Sequence, residues 1–198
     1  MKQLLLTVLF LTGATSALGQ TTISSAEQCR LSMAEAPAIR GIRLRMDIDQ
    51  VLAAFPGAEN DSELRARLVS GKFGFQSVTF SPAKYDTSEK FTGIQLINLS
   101  FLDGRLAHFQ IGYNGPEWRG TAQFAARVAE VLKLPGVDLW KASSYNGLAL
   151  TCSGFELSVQ TGSPTNWIGM KDLSVDINKV INERQEVPKE QARKAFVP

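Results

Sequence analysis

The stretch Leu96-Ile97-Asn98-Leu99-Ser100-Phe101-Leu102-Asp103-Gly104-Arg105-Leu106-Ala107-His108-Phe109-Gln110-Ile111 holds two apolar-rich runs on either side of an Asp-Gly dipeptide. Asp103-Gly104 suits the centre of a two-residue type I′ hairpin, where both positions need positive φ. A turn that tight sets Phe101 opposite Leu106, Leu99 opposite His108, Ile97 opposite Gln110 and Leu96 opposite Ile111. Apolar residues then fall on both faces, which predicts a central hairpin with helices on one side and a partly covered second face.

Further strands lie outward from this hairpin. Residues Phe73 to Phe80 predict a neighbouring strand, and Trp167 to Leu173 predict the last one. A second hairpin around Ser153-Gly154 places Leu148, Leu150, Cys152, Phe155, Leu157 and Val159 on one face, with Ala149, Thr151, Glu156, Ser158 and Gln160 on the other. That alternation is the signature of a half-buried pair, and it aims Cys152 at the core.

Helical patterns precede both hairpins. In Asp47-Ile48-Asp49-Gln50-Val51-Leu52-Ala53-Ala54-Phe55-Pro56-Gly57, Asp47 and Gln50 have the spacing of a capping box and Met46 with Val51 that of a hydrophobic staple. Ile48, Val51, Leu52 and Phe55 share a face, and Pro56-Gly57 ends the helix. A second short helix is predicted from Asn60 to Ser70, with Asn60 and Glu63 as caps and Gly71 at its end. A third runs from Thr121 to Leu134 with Phe124, Val128, Val131 and Leu132 on its buried stripe, before Pro135-Gly136.

Helix, strands, helix, strands in that order predict an α+β fold of two layers, an antiparallel sheet backed by short helices. The repeated order also admits a degenerate internal duplication. Residues 20–175 are expected to form a single domain, and residues 176–198 a polar C-terminal helix or tail in which Ile177, Val180 and Ile181 dock.

Residues 1–19 read as a cleaved signal peptide. Lys2 supplies the positive start, Leu4 to Leu11 the apolar run, and Ala17-Leu18-Gly19 the small residues of a cleavage site. The run falls far short of the roughly 20 residues a spanning helix needs, so no transmembrane helix is expected. Gln20, and not a lipid-bearing cysteine, follows the site, so no lipid anchor is expected. The expected location is periplasmic or secreted. Cys29 and Cys152 are the only cysteines, and an oxidising compartment favours joining them, with two buried thiols as the alternative. A bridge would close a loop of roughly 120 residues, a constraint of about 5 kcal/mol on the unfolded chain.

Charge excludes some functions. The 198 residues carry 21 basic and 19 acidic side chains, a formal net charge of +2, which provides no field to steer nucleic acid. Arg40, Arg43 and Arg45 are the densest basic stretch, but Asp47 and Asp49 follow, and a solvated strand face is the expectation.

Catalytic and metal-binding patterns are sparse. One histidine, His108, and two cysteines leave no ligand set for a metal, and no catalytic residue or cofactor is expected. Ser81-Pro82-Ala83-Lys84 matches the Ser-x-x-Lys pattern of penicillin-recognising acyl-transferases, yet that chemistry places its serine at the start of a buried helix, and this one follows a strand and precedes a proline. Aromatic residues near loops give a stronger surface signal. Tyr113, Trp118, Trp140, Tyr145 and Trp167 would form a binding surface for a peptide, glycan or protein if they met on one rim, and would otherwise each cap the sheet locally.

The run Ile39 to Val51, with Phe55-Pro56-Gly57, resembles the opening of SmpA/OmlA-type envelope lipoproteins and related beta-lactamase inhibitory protein modules. Those open on a Gly-Met-Thr-like cap and a short helix, followed by antiparallel strands; Arg45 stands where that family favours glycine. The resemblance implies protein-protein binding in the bacterial envelope without catalysis. The expected function is therefore an exported, non-catalytic protein-binding or assembly protein of the bacterial cell envelope, with a protein partner and no nucleic acid. The alternative is a secreted inhibitor or ligand-binding module that uses the loop aromatics.

Overall fold

The computed structural model describes residues 29–69, 71–85, 89–115, 117–143 and 146–195. The expected signal peptide and Tyr145 lie outside the described residues. Seven strands, β1 (Phe75–Phe80), β2 (Ile94–Leu102), β3 (Arg105–Asn114), β4 (Lys141–Ala142), β5 (Leu148–Thr151), β6 (Phe155–Gln160) and β7 (Thr165–Asp172), form one sheet in the order β1-β2-β3-β7-β6-β5-β4. Every pairing is antiparallel. The fold is α+β. Two meanders, β1-β2-β3 and β4-β5-β6-β7, each follow helical segments and meet through their final strands, β3 and β7.

Helices α1 (Ile48–Leu52), α2 (Ser62–Val69) and α3 (Thr121–Leu132) line one face. Asp47 caps α1 as its spacing predicts: its carboxylate accepts from Gln50 N at 2.8 Å, and Gln50 Oε1 accepts from Asp47 N at 3.0 Å. Val51, Leu52 and Phe55 are then buried in the core that also holds Val78, Phe80, Ile97 and Leu99, and the Phe55 ring meets Phe80 edge-on with centroids 4.9 Å apart. The cap of α2 is Asp61 and not Asn60. Its carboxylate accepts from Leu64 N at 2.9 Å and is fixed from the far side by Lys84 Nζ at 2.6 Å and Tyr85 Oη at 2.8 Å.

On α3 the buried stripe is Phe124, Ala125, Val128 and Ala129, while Val131 is 60% exposed. At about 100° per residue, Val131 falls at the edge of that stripe, and the two alanines let the helix approach β5 and β6 closely.

The first hairpin turns at Asp103-Gly104 with φ of 51° and 75°, as expected. Its register does not hold beyond Phe101↔Leu106: a bulge at Ala107 advances the pairing, so that Ser100 faces His108, Leu99 faces Phe109 and Ile97 faces Ile111. The reason lies outside the hairpin. Leu106 N donates to Met46 O at 2.8 Å and Leu106 O accepts from Arg45 N at 2.8 Å, so residues 45–47 extend the sheet where β7 ends. The bulge accommodates that pairing and brings Phe109 and Ile111 into the core beside Leu99 and Ile97, all four fully buried.

The second hairpin keeps its predicted register, Leu148↔Val159 through Thr151↔Glu156. Cys152 turns inward and is bonded to Cys29, which holds the N-terminal segment against β5 and β6. Ser153 N donates to Leu31 O at 3.0 Å beside the bridge.

Helix α4 (Ile177–Ala195) leaves β7 and returns toward the first hairpin. Arg184 binds both carboxylate oxygens of Asp103 at 2.8 Å and donates to Phe73 O at 2.6 Å. No helix among the described residues is long and apolar enough to cross a membrane.

Candidate functional site

The sheet face turned away from α1, α2 and α3 is built from the alternate side chains of the same strands. At its centre the registers of β3, β7 and β6 make three rows. His108, Lys171 and Glu156 form the first; Gln110, Gly169 and Ser158 the second; Gly112, Trp167 and Gln160 the third. All three strands are paired on both sides, so the platform is rigid.

Two glycines depress its floor. A Cβ at Gly169 would lie 2.9 Å from Ser158 Oγ and 3.3 Å from Gln110 Cγ, and one at Gly112 would lie 3.0 Å from the six-membered ring of Trp167. The Trp167 indole therefore rests over Gly112, and beside it the side chains of Gln110 and Ser158 close over Gly169. Ile177 and Asn178 at the start of α4 close one end, together with Phe75. The cavity, open to solvent on its outer side, measures about 770 Å³.

The side chains of Gln110, Ser158 and Gln160 make no hydrogen bond to another described residue, and none of them has a buried polar atom lacking a partner. Their donors and acceptors face the cavity or solvent. Burial pushes the His108 imidazole below its ordinary pKa, and the neighbouring Lys171 ammonium adds to the effect, so His108 is neutral at pH 7. Glu156 accepts from Thr151 Oγ1 at 3.2 Å. The three rows thus present neutral amides, a hydroxyl, an imidazole and one indole, with Glu156 and Lys171 side by side, and a second carboxylate, Asp176, lines the end of the cavity at the start of α4.

The predicted aromatics do not share this face. Tyr113 follows Ile111 by two residues on β3 and so points to the helix side, where it is half-buried. Burial raises its hydroxyl pKa, and Arg40 opposes the shift. Trp118 packs on Phe124 with ring centroids 5.2 Å apart. Trp140 is 6% exposed in the core, and its Nε1 donates to Pro135 O at 3.3 Å. Trp167 alone of the four described lies on the outer face, and the sheet separates it from the rest. Strand alternation and the folding of both loops back over α3 produce this division.

Other sequence-predicted positions are also engaged. Arg40 and Gly41, with φ of 55° and 87°, form a tight turn bridging Ile39 and Ile42, so this basic stretch is not a continuous strand face. Arg45 Nε donates to Asp172 at 2.7 Å. Ser81 precedes a 3-10 turn (Pro82–Lys84), and Lys84 is ion-paired with Asp61. The Lys84 hydrogen bond, with those from Leu64 N and Tyr85, holds the Asp61 carboxyl far below the usual carboxylate range. No cluster of three or more His, Cys, Asp or Glu that could hold a metal occurs among the described residues.

Strand alternation places Ser158 and Gln160 on the solvent side of their hairpin, but it does not distinguish Gln110, Gly112 or Gly169. Their signal was the interruption of apolar alternation in two strands, and it gains meaning only once β3 and β7 are neighbours. No protein-family model, curated protein or solved structure matches this chain.

Proposed function

We propose that the chain is an exported, non-catalytic binding or assembly protein of the bacterial cell envelope, and that a partner protein seats on the outer face of the sheet. The observation that supports this most is the three-row patch on β3, β7 and β6: a rigid platform on which the side chains of Gln110, Ser158 and Gln160 have no partner among the described residues. Polar groups already ordered by the fold lose little further entropy on binding.

The Cys29–Cys152 bridge supports export, since such bonds persist in oxidising compartments. It also removes Cys152 as a nucleophile that His108 might serve. Lys84, held by Asp61, is not placed to activate Ser81 at the start of a helix. A ligand-binding module is the second reading, favoured by the cavity beside Trp167.

Site-specific photo-crosslinking in cells tests the proposal. A photoreactive residue at Gln110 or Ser158 is expected to capture a discrete protein that the same group at Arg127, on the exposed side of α3, does not. Equal capture from both faces, or none from the outer face, refutes it.

A further inference from the structure

The cavity on the outer face has a chemistry more specific than a flat protein-docking surface. We infer that it is a carbohydrate subsite that takes a neutral oligosaccharide, with Trp167 as the stacking platform and Gln110, Ser158 and Gln160 as the hydroxyl-binding groups. This rests on the reading of the outer face as the binding surface.

Sugar hydroxyls both donate and accept, and so do the primary amides of Gln110 and Gln160 and the hydroxyl of Ser158. All three are free of partners among the described residues. The indole of Trp167, resting on Gly112, offers an electron-rich π surface to the weakly positive C–H face of a pyranose ring. Gly169 lets Ser158 and Gln110 close in over it, 2.9 and 3.3 Å from where its Cβ would lie, and so brings these two polar side chains together on the floor. The volume of about 770 Å³ is that of a small-ligand site and not of a broad interface.

Charge argues for a neutral ligand. Glu156 and Lys171 face each other across β6 and β7, burial favours the neutral form of His108 beside them, and the remaining charge on the wall, Asp176, disfavours an anion. An extended peptide fits less well. It binds sheets by adding a strand at a free edge, whereas β3, β7 and β6 are paired on both sides and the edges of this sheet are β1 and β4.

The test uses the full chain and three soluble probes, cellohexaose, chitohexaose and maltohexaose, by titration calorimetry. His108 is the only histidine, so its C2 proton is a single assigned NMR signal at the cavity wall. At least one probe is expected to bind saturably and to shift that signal. Trp167→Ala and, independently, Gln110→Ala are expected to weaken binding by about tenfold or more, a factor readily resolved by calorimetry. Arg127→Ala should leave it unchanged. Gln110→Ala alters a half-buried side chain without an internal partner, so it keeps the test informative if Trp167→Ala misfolds. Binding of none of the three, or binding that survives both substitutions, overturns the inference. So does saturable, Trp167-dependent binding of a permanently unfolded polypeptide with no glycan bound. If crosslinking from Gln110 still captures a protein while all glycans fail, the carbohydrate assignment falls alone; if both fail, the outer face is not the binding surface.

Discussion

Arg45 joins a strained backbone to a buried charge, and the two contributions separate by substitution. Its φ of 67° lies in the left-handed region, which costs a residue with a Cβ about 1–2 kcal/mol relative to glycine. Its side chain compensates. Arg45 Nε and Nη2 donate to Asp172 at 2.7 and 3.3 Å, and Asp172 is 2% exposed. Ser174 N and Oγ also donate to this carboxylate, at 2.9 and 2.6 Å, so loss of the arginine leaves it partly satisfied. Hydrogen bonds to a charged group contribute about 1.5–3 kcal/mol, and the half-exposed guanidinium places this pair toward the low end, about 2 kcal/mol.

Arg45→Ala is therefore expected to destabilise by about 2 kcal/mol, because it loses the pair and keeps the strain. Arg45→Gly loses the pair but relieves the strain; after about 0.4–1 kcal/mol is subtracted for glycine's freer unfolded chain, it should be more stable than the alanine variant by about 0.5–1 kcal/mol. Urea unfolding followed by circular dichroism resolves this as a difference of roughly 0.3–0.5 M in midpoint. The pair also predicts a pH dependence. Burial pushes the Asp172 carboxyl up, but the hydrogen bonds from Arg45 and Ser174 together outweigh it and hold it below its ordinary value. A carboxylate with a lowered folded pKa stabilises above its unfolded pKa, and that contribution is lost as pH falls through the folded value. The gap between the native chain and Arg45→Ala should therefore be full at pH 7 and shrink below about pH 4. A glycine variant no more stable than alanine would refute the strain argument, and a gap unchanged at pH 3 would refute the charge argument.

Three further outcomes are expected. Replacing Cys29 and Cys152 together by serine removes a tether across 123 residues and should cost about 3–5 kcal/mol, seen as a lower urea midpoint that reductant no longer shifts. The His108 C2 proton should titrate below about pH 6.5, and Lys171→Gln should raise its midpoint in part; because the folded imidazole resists protonation, stability should fall as pH drops below 6.5, and His108→Gln should flatten that slope. Gly74→Ala should cost more than Gly41→Ala, although both have positive φ, because a Cβ at 74 would lie 2.3 Å from Asp103 Oδ1 and 2.4 Å from Arg184 Nη1 while one at 41 meets nothing within 4 Å. Faster proteolysis of α4 in the Gly74 variant would confirm that the Arg184–Asp103 pair is what the missing side chain protects.

Where a feature depended on neighbours in sequence, the residues revealed it. Asp47 and Gln50 form their capping box within four residues, and Asp103-Gly104 turns within two. The alternation from Leu148 to Val159 fixes a register because its two faces differ so sharply in polarity. The first hairpin lacked that contrast. Its faces are both partly apolar, and the bulge at Ala107 is set by Arg45 and Met46, some sixty residues earlier by the Arg105–Arg45 separation. Side-chain periodicity carries no information about such a contact. Strand order is equally hidden, since nothing in Trp167 to Leu173 states that the last strand enters the middle of the sheet.

That central position explains why the candidate site escaped a reading based on aromatic residues alone. Neither Gly112 nor Gly169 has a positive φ, so the backbone does not demand glycine at either position. Space demands it: the Trp167 ring occupies the place of one Cβ, and Ser158 and Gln110 crowd the other. A glycine within a strand weakens it, because it leaves the ladder without a side chain to pack. Here both weak points fall on the pair of strands that joins the two meanders, where the sheet has the most to lose and where pairing on both sides best tolerates the loss. The arrangement gives up side-chain packing on the outer face to seat one indole and a set of unpaired amides, and that exchange is the strongest reason to test for binding on the face turned away from α1, α2 and α3.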